Sequence, residues 1–355
     1  MSQKVLMKGN EAIAEAAIMA GCRHYFGYPI TPQTEIAAYM AKRMPKENGI
    51  FLQAESEVAA INMVIGASAA GRRVMTSSSS PGISLKCEGL SYLAGCDLPA
   101  LVVNVQRGGP GLGGIQPSQS DYFQATKGSG HGDFHHFVLA PASVQEMFSL
   151  TFKGFELADK YRMVSMILAD GTMGQMMEPV ALDMTEVKTY EKPWALTGTK
   201  MERKHNVVNS LMLSPEELEK YNFERFDKYA VACKNEVMYE EYMMEDAEIC
   251  IVAFGIASRV SKNAIEAARA DGIKVGMIRP ITLWPFPNEV IRAAADRVKC
   301  FMSVELSMGQ MIDDIRLAEE CKKPVLLCNR VGGMIMTPEE VLAKIKEADK
   351  IGGNN

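Results

Sequence analysis

Three side chains with complementary chemistry stand just beyond predicted strands in the first half of the sequence. Thr31 carries a hydroxyl, Glu57 a carboxyl and Arg107 a guanidinium, and each follows a short apolar segment. Ligands of parallel sheets bind outside the carboxyl ends of the strands, so we expect the three groups to meet at one edge. Together they could orient a small carboxylate substrate and exchange a proton beside it.

Thr31 is enclosed by two prolines in the segment GYPITPQTEI, residues 27–36. Pro29 and Pro32 each fix their own φ angle and bias the preceding residue toward extended backbone. The pattern predicts a hydroxyl that is held rigidly at the start of a helix. Such rigidity is expected of a group that must meet a small ligand in one orientation.

Glu57 and Arg107 each also allow a purely structural interpretation. Glu55 and Glu57 stand where a strand becomes a helix, and acids in a first helical turn complement the macrodipole or complete a cap. Arg107 ends an interior strand, where a guanidinium requires an anion or several acceptors, and a structural ion pair would satisfy it. The functional alternative for Arg107 is a fixed receptor for a carboxylate.

Three further motifs each allow a simpler explanation than a binding site. A GxGxxG pattern at residues 109–114 stays loop-like, so we reject a dinucleotide-binding site there. The HGDFHH segment at residues 131–136 has no obvious further metal ligand in the sequence, so no metal site is assigned. Four serines at residues 77–80 close a predicted strand, and they either cap the predicted helix over 82–95 or bind a ligand.

Alternating strands and helices must position these groups. Short apolar strands alternate with helices over residues 1–190, which predicts a parallel sheet covered on both faces. The pattern breaks over residues 191–245, where we predict a linker with surface helices, one of them capped by Ser214. Alternation resumes over residues 246–355 and predicts a second, smaller α/β domain.

The composition excludes several classes of protein. The net charge is -5 and the sequence has no basic block, so nucleic-acid binding is not expected. Apolar runs are too short to span a membrane, and the N-terminal segment lacks the apolar core of a signal peptide. The eight cysteines include no CxxC pair, which indicates reduced thiols in a cytoplasmic protein and no iron–sulfur cluster held by this chain alone.

The sequence resembles the alpha subunit of 2-oxoacid:ferredoxin oxidoreductases. The resemblance lies in GYPITPQTEI, QAESEVAA, SSSPGISLKCEGLSY and VNVQRGGPG, and IRPITLWPFP resembles the transketolase-C-like domain of that family. It implies an α/β protein with a pyrimidine-type thiamine diphosphate-binding domain followed by the transketolase-C-like domain. It also implies oxidative decarboxylation of a 2-oxo acid with coenzyme A, which yields acyl-CoA and CO2 and reduces ferredoxin.

The resemblance also implies roles for individual residues. Glu57 matches the glutamate that hydrogen-bonds the aminopyrimidine ring and so promotes loss of the thiazolium proton. Thr31 and Arg107 match the residues that bind the oxo and carboxyl groups of the substrate, and Pro29 matches one that lies against the cofactor. The loop after Arg107 is similar to that of branched-chain (2-oxoisovalerate) subunits, so we favour such an acid over 2-oxoglutarate or pyruvate.

The features that the sequence lacks predict partner subunits. It contains no GDG motif, its one Asn-Asn pair is C-terminal, and it has no cluster cysteines. We therefore expect a beta subunit that supplies Mg²⁺-diphosphate binding and a [4Fe-4S] cluster, with gamma- or delta-type subunits beside it. Two rivals are a beta chain of a lipoamide-linked 2-oxoacid dehydrogenase, which the YPITP element disfavours, and a scaffold subunit without a catalytic role.

Overall fold

The computed structural model describes residues 4–183 and 186–351. The strands of the first half are β1 (Lys4–Lys8), β2 (His24–Gly27), β3 (Ile50–Gln53), β4 (Val74–Ser78), β5 (Ala100–Gln106), β6 (Phe137–Leu139), β7 (Val164–Asp170) and β8 (Met177–Ala181). The helices there are α1 (Gly9–Met19), α2 (Thr34–Arg43), α3 (Glu57–Ala69), α4 (Pro81–Ser84), α5 (Cys87–Gly95), α6 (Tyr122–Thr126), α7 (Val144–Tyr161) and α8 (Gly171–Gln175), with a 3-10 turn at Met44–Glu47.

The second half continues the alternation after a long helix. Its helices are α9 (Pro215–Asn235), α10 (Gly255–Ala270), α11 (Asn288–Ala295), α12 (Met311–Ala318) and α13 (Pro338–Asp349). Its strands are β9 (Tyr239–Tyr242), β10 (Ile249–Ala253), β11 (Val275–Pro280), β12 (Thr282–Trp284), β13 (Cys300–Glu305) and β14 (Val325–Asn329). None of these described helices combines the length and the apolarity that are needed to cross a bilayer.

The main sheet joins seven of the described strands in the order β12-β6-β7-β5-β4-β2-β3. Its pairs are parallel, except that β12 runs antiparallel to β6. Alternate residues of β5 enter different cores: Leu101 and Val103 pack on one face, and Ala100 and Val102 pack on the other. Both faces of the sheet are therefore covered, as the continuous apolar strands predicted, and the predicted α/β fold is confirmed.

The second sheet joins five of the described strands in the order β14-β13-β10-β11-β9. β9 is antiparallel to β11, and the remaining pairs are parallel. Ile265 of α10 and Ile345 of α13 belong to one hydrophobic core, and Ile291 of α11 and Ile315 of α12 belong to the other. This smaller unit is thus also a sheet between helical layers, as predicted for the C-terminal part.

The two halves share structure across the sheet edge. β12 comes from the second half but completes the first sheet, and its Trp284 stacks on His135 with the ring centroids 5.0 Å apart. The Gln119 Nε2 donates to the carbonyl of Phe254 at 2.8 Å, and its Oε1 accepts from the amide of Leu306 at 3.0 Å. The HGDFHH segment therefore contributes to packing between the halves through His135. The domain boundaries at residues 190 and 245 stay predictions.

Helix α9, in the predicted linker, is docked on the first half. The Ser214 hydroxyl accepts a hydrogen bond from the amide of Glu217 at 3.3 Å, so the predicted cap is present. Asp97 accepts from the hydroxyl of Tyr221 at 2.8 Å and forms an ion pair with Lys228 at 2.7 Å. Because Lys228 is partly buried, with 23% of its side chain exposed, removing Asp97 would leave a cation there without its counter-charge.

Two features were not expected from the sequence. β1 and β8 pair antiparallel and form a separate ribbon, which joins two segments about 170 residues apart in the chain. The helix predicted over 82–95 is instead two helices, α4 and α5, that meet at Leu85 and Lys86. Lys86 lies wholly inside the protein at this junction, so the break coincides with a buried charge.

Candidate active site

The loop that carries Thr31 is held by side-chain amides that donate hydrogen bonds to its backbone carbonyls. Nδ2 of Asn10 donates to the Pro32 carbonyl at 2.8 Å, and Nε2 of Gln33 donates to the Tyr28 carbonyl at 3.3 Å. The Thr31–Pro32 peptide bond is cis. The Thr31 side chain is exposed, and its hydroxyl bonds to none of the residues that the structure describes. A rigid loop thus presents a hydroxyl that is free to bind a ligand, as the two prolines predicted.

A buried polar network behind this loop was missed by the sequence analysis. Gln33 is fully buried, and its Oε1 accepts from the Ser77 hydroxyl at 2.6 Å. The Tyr25 hydroxyl lies 2.6 Å from the same Ser77 oxygen, and burial raises the pKa of Tyr25 to about 12. One feature of the sequence could have indicated this network: Asn10 and Gln33 are polar residues at positions where the neighbouring pattern predicts an apolar side chain.

Arg107 directly follows β5 and is almost completely buried. Its Nη1 donates to the Thr31 carbonyl at 3.0 Å and its Nη2 donates to the Leu112 carbonyl at 3.3 Å. Its Nε is buried without a partner, and no carboxylate of the described residues pairs with the guanidinium. The structural ion pair is therefore not what holds Arg107. Neutral carbonyls hold it in place, and its positive charge remains available to an anion.

Glu57 begins α3 but does not cap it. The cap is Ser56, whose hydroxyl accepts from the amide of Ala59 at 3.1 Å. The residue Glu57 is 6% exposed and its carboxylate makes no hydrogen bond to any described residue, whereas Glu55 is exposed to solvent. Because Ser56 is the cap, the capping explanation for Glu57 fails, although Glu57 still stands in the first turn of α3, where an acid complements the macrodipole. A buried carboxylate without a partner is costly, so its position also suits a group that binds a ligand.

The four serines do not cap the following helix through their side chains. Ser78 and Ser79 are buried, and their hydroxyls have no hydrogen-bond partner among the residues that the structure describes. The Ser80 hydroxyl instead lies 2.6 Å from Asp121 Oδ2, and burial raises the pKa of this carboxyl. The backbone amide of Arg107 donates to the Ser80 Oγ at 3.0 Å. Of the two predicted roles, the buried free hydroxyls favour a ligand over a cap.

The three predicted site residues lie at the same edge of the main sheet. Thr31, Glu57 and Arg107 follow β2, β3 and β5, which are close neighbours in the strand order. Arg107 contacts both Thr31 and Ser80 at 3.0 Å. Gly82 brings its backbone so close to Glu57 that a Cβ there would stand 2.6 Å from Oε1, a separation that needs glycine. Arg107 therefore contacts the Thr31 backbone directly, and Glu57 follows a strand at the same edge; that the three groups form one site stays a prediction.

Two family models match the chain. The model described as pyruvate flavodoxin/ferredoxin oxidoreductase, thiamine diphosphate-binding, covers residues 15–248. The chain belongs to this family. A second model, pyruvate:ferredoxin oxidoreductase core domain II, covers residues 247–341 of the same oxidoreductase chain. The family predicted from the motifs and its thiamine diphosphate cofactor are confirmed, and the lipoamide-linked alternative is disfavoured.

Relatives of this oxidoreductase chain match it along nearly its full length. The ketoisovalerate oxidoreductase subunit VorB of Methanothermobacter marburgensis is 54% identical over 343 residues, which cover 96% of this chain and 97% of the relative. The 2-oxoglutarate synthase subunit KorA of the same organism is 36% identical over 374 residues, which cover 97% and 99%. The chain is accordingly an enzyme subunit, as predicted.

Solved structures agree with this assignment. The chain superposes on 2-oxoglutarate:ferredoxin oxidoreductase from Magnetococcus marinus with a TM-score of 0.87 and 29% identity; that structure holds 2-oxoglutarate, coenzyme A and succinyl-CoA. The match covers 98% of this chain but 66% of the solved one, which is therefore the longer polypeptide. A split-gene transketolase, at a TM-score of 0.61 and 14% identity, shares the fold alone.

Proposed function

We propose that this chain contributes half of the active site of an enzyme that converts a branched-chain 2-oxo acid and coenzyme A into acyl-CoA and CO2. Two electrons are released in this reaction, and two one-electron ferredoxins accept them. The observation that carries the proposal is the meeting of Thr31, Arg107 and Glu57 at one sheet edge, each with hydrogen-bonding capacity that the protein itself leaves unused. A scaffold without catalytic function would have no reason to retain such groups.

The buried polar groups fit the pyrimidine end of thiamine diphosphate. The buried hydroxyls of Ser78 and Ser79 have no hydrogen-bond partner among the described residues, and the buried residue Glu57 bonds to none of these residues either, which suits a site for a ring with polar nitrogens. In this proposal Glu57 holds a proton at the ring nitrogen N1′, and the exposed Pro29 lies against the cofactor. When bound, thiamine diphosphate supplies an electron sink for the cleavage of the bond to the carboxyl group.

Arg107 and Thr31 are proposed to hold the substrate. The Arg107 guanidinium binds the carboxylate that all 2-oxo acids share, because it is the charged donor at this edge without an anionic partner among the described residues. The Thr31 hydroxyl donates to the oxo group beside it. A substrate held by both ends of its reacting unit is fixed in one orientation, which favours reaction at the oxo carbon.

The composition of the loop that follows Arg107 favours a substrate with an apolar acyl group. Residues 108–120 contain no charged side chain that could receive the second carboxylate of 2-oxoglutarate. Leu112 and Ile115 of this loop are exposed, at 85% and 57%. The higher identity to the ketoisovalerate subunit than to the 2-oxoglutarate subunit supports the same substrate class. A pocket that lacks a cation would reject a dicarboxylate strongly, because the charge would be buried unpaired.

Other subunits are proposed to complete the site. A beta subunit would hold the diphosphate with Mg²⁺ and carry the [4Fe-4S] cluster, and gamma- or delta-type subunits would complete the complex. The exposure of Thr31 and Pro29 supports this arrangement, since a reacting centre must be shielded from water. The eight cysteines are free thiols, which supports the proposed cytoplasmic location.

The substrate proposal is tested with the purified native complex. We expect reduction of ferredoxin or viologen to require coenzyme A and to be fastest with 2-oxoisovalerate. The value of kcat/KM for 2-oxoglutarate is expected to be lower by about 100-fold or more, from the missing second receptor. Equal or higher kcat/KM with 2-oxoglutarate would contradict the branched-chain assignment, and no reduction with any 2-oxo acid would contradict the proposed function.

A further inference from the structure

Lys86 is an unusual residue in this fold because it is completely buried. It lies at the junction of α4 and α5, and its side chain points inward against the main sheet. Its Nζ donates one hydrogen bond, to the Thr76 hydroxyl at 3.0 Å, although an ammonium carries three donors. Burial lowers the pKa of Lys86 to about 8, opposed by the charge of Glu57. Lysines are almost never fully buried unless they are paired.

Lys86 and Glu57 each lie beside a polar residue on the same face of β4. Thr76 and Ser78 are alternate residues of β4, so their side chains stand on the same face of the sheet. Thr76 accepts the hydrogen bond of Lys86. The Ser78 hydroxyl and the Glu57 carboxylate are close to each other, since an oxygen of each lies within 2.6 Å of the position that a Cβ on Gly82 would occupy. The surrounding layer is otherwise apolar and includes Ile61, Leu90 and Val74.

Packing alone does not explain why a charge lies here. An apolar side chain of similar length would fill the same space without the cost of burying an ammonium. Glu57 is the charged group that opposes the lowering of the Lys86 pKa, and its carboxylate lacks any hydrogen bond within the described residues. The two groups do not form a direct ion pair, which leaves the Glu57 oxygens free to meet a ligand.

We propose that Lys86 is a positioning residue for Glu57: it supplies the counter-charge that the buried carboxylate lacks and holds it ready for the pyrimidine nitrogen. This inference rests on the proposed role of Glu57. With the ammonium behind it, the carboxylate can accept a hydrogen bond from the protonated ring nitrogen without itself being neutralised. Lys86 touches neither substrate nor cofactor, and it acts through Glu57.

The test combines an apolar replacement with two readouts on the assembled complex. We expect Lys86→Met to lower kcat by about tenfold or more and to leave KM for the 2-oxo acid within about twofold, because Arg107 and Thr31 are untouched. Without substrate, deuterium exchange at the thiazolium C2 of bound thiamine diphosphate should slow by about the same factor. An exchange rate within twofold of wild type would overturn the inference.

A second readout needs no cofactor. In the complex freed of thiamine diphosphate, Lys86→Met and Glu57→Gln should each lower Tm, since each leaves one buried charge unpaired. The decrease in Tm of the double variant should be smaller than the sum of the decreases in the two single variants. Strictly additive losses would show that the residues are not coupled and would overturn the inference.

Control variants keep the test decisive. Thr76→Val removes the hydrogen bond of Lys86 at nearly constant shape and should slow the exchange by about threefold, and it carries the test if Lys86→Met does not assemble. Thr151→Val removes a buried hydroxyl whose one bond within the described part of the chain goes to the Met147 carbonyl of its own helix, and it should not change the exchange. If Glu57→Gln stays active, the proposed function fails; if it is inactive while Lys86→Met behaves as wild type, this inference alone fails.

Discussion

In the assembled complex, we expect Glu57→Gln to reduce kcat for 2-oxo acid oxidation by about 100-fold or more. Glutamine keeps the size of the side chain but can no longer exchange a proton at the pyrimidine nitrogen. The loss should appear in kcat rather than in KM for the oxo acid, because Glu57 does not contact the substrate in the proposed arrangement. Steady-state viologen reduction, with subunit assembly checked by gel filtration, measures the effect.

Glu55→Gln is the matched control for this prediction. The two acids are separated by one residue, but Glu55 is exposed and Glu57 is 6% exposed. We expect Glu55→Gln to retain wild-type kcat within about twofold, as is usual for an exposed position. Normal turnover by Glu57→Gln would instead support the scaffold hypothesis, and a large loss in Glu55→Gln alone would move the role to that residue.

The second large effect is expected from Arg107→Lys. We expect KM for every 2-oxo acid to rise by about 10- to 100-fold, because a lysine cannot reproduce a two-pronged contact with a carboxylate. The factor should be similar across the substrate panel, since the carboxylate beside the oxo group is common to all of them. KM for coenzyme A should remain unchanged.

Arg72→Lys provides a comparison at the other edge of the sheet. Arg72 is exposed and precedes β4, whereas Arg107 follows β5, so the two arginines lie at opposite ends of parallel strands. We expect Arg72→Lys to leave the kinetics unchanged. Wild-type KM values in Arg107→Lys would contradict its assignment as the carboxylate receptor, as would a rise that is confined to one oxo acid.

The fold and the placement of three candidate residues at one sheet edge could be predicted because both follow from local pattern. Apolar strands that alternate with helices specify a covered parallel sheet, and a polar residue just after such a strand must lie at its carboxyl edge. Thr31, Glu57 and Arg107 all satisfied this rule. The two prolines around Thr31 also indicated a restrained backbone there from local sequence alone.

The remaining features depend on contacts between distant segments. β12 has three residues and pairs with β6 from the other half of the chain, which no local pattern indicates. Lys86 follows an apolar residue in a helical segment, where a lysine is ordinarily solvated, and periodicity does not reveal that its ammonium turns inward. Asn10 and Gln33 likewise support the Thr31 loop through contacts that only the folded chain creates.

Titration of thiamine diphosphate into separated and assembled subunits tests the central claim most directly. We expect the complex of this chain with its beta subunit to bind one cofactor per pair in the presence of Mg²⁺, and either subunit alone to bind at least about 100-fold more weakly. The Glu57→Gln complex should retain this stoichiometry, because the partner would still hold the diphosphate. Binding by this chain alone, with the affinity of the complex, would contradict a cofactor site shared between two polypeptides.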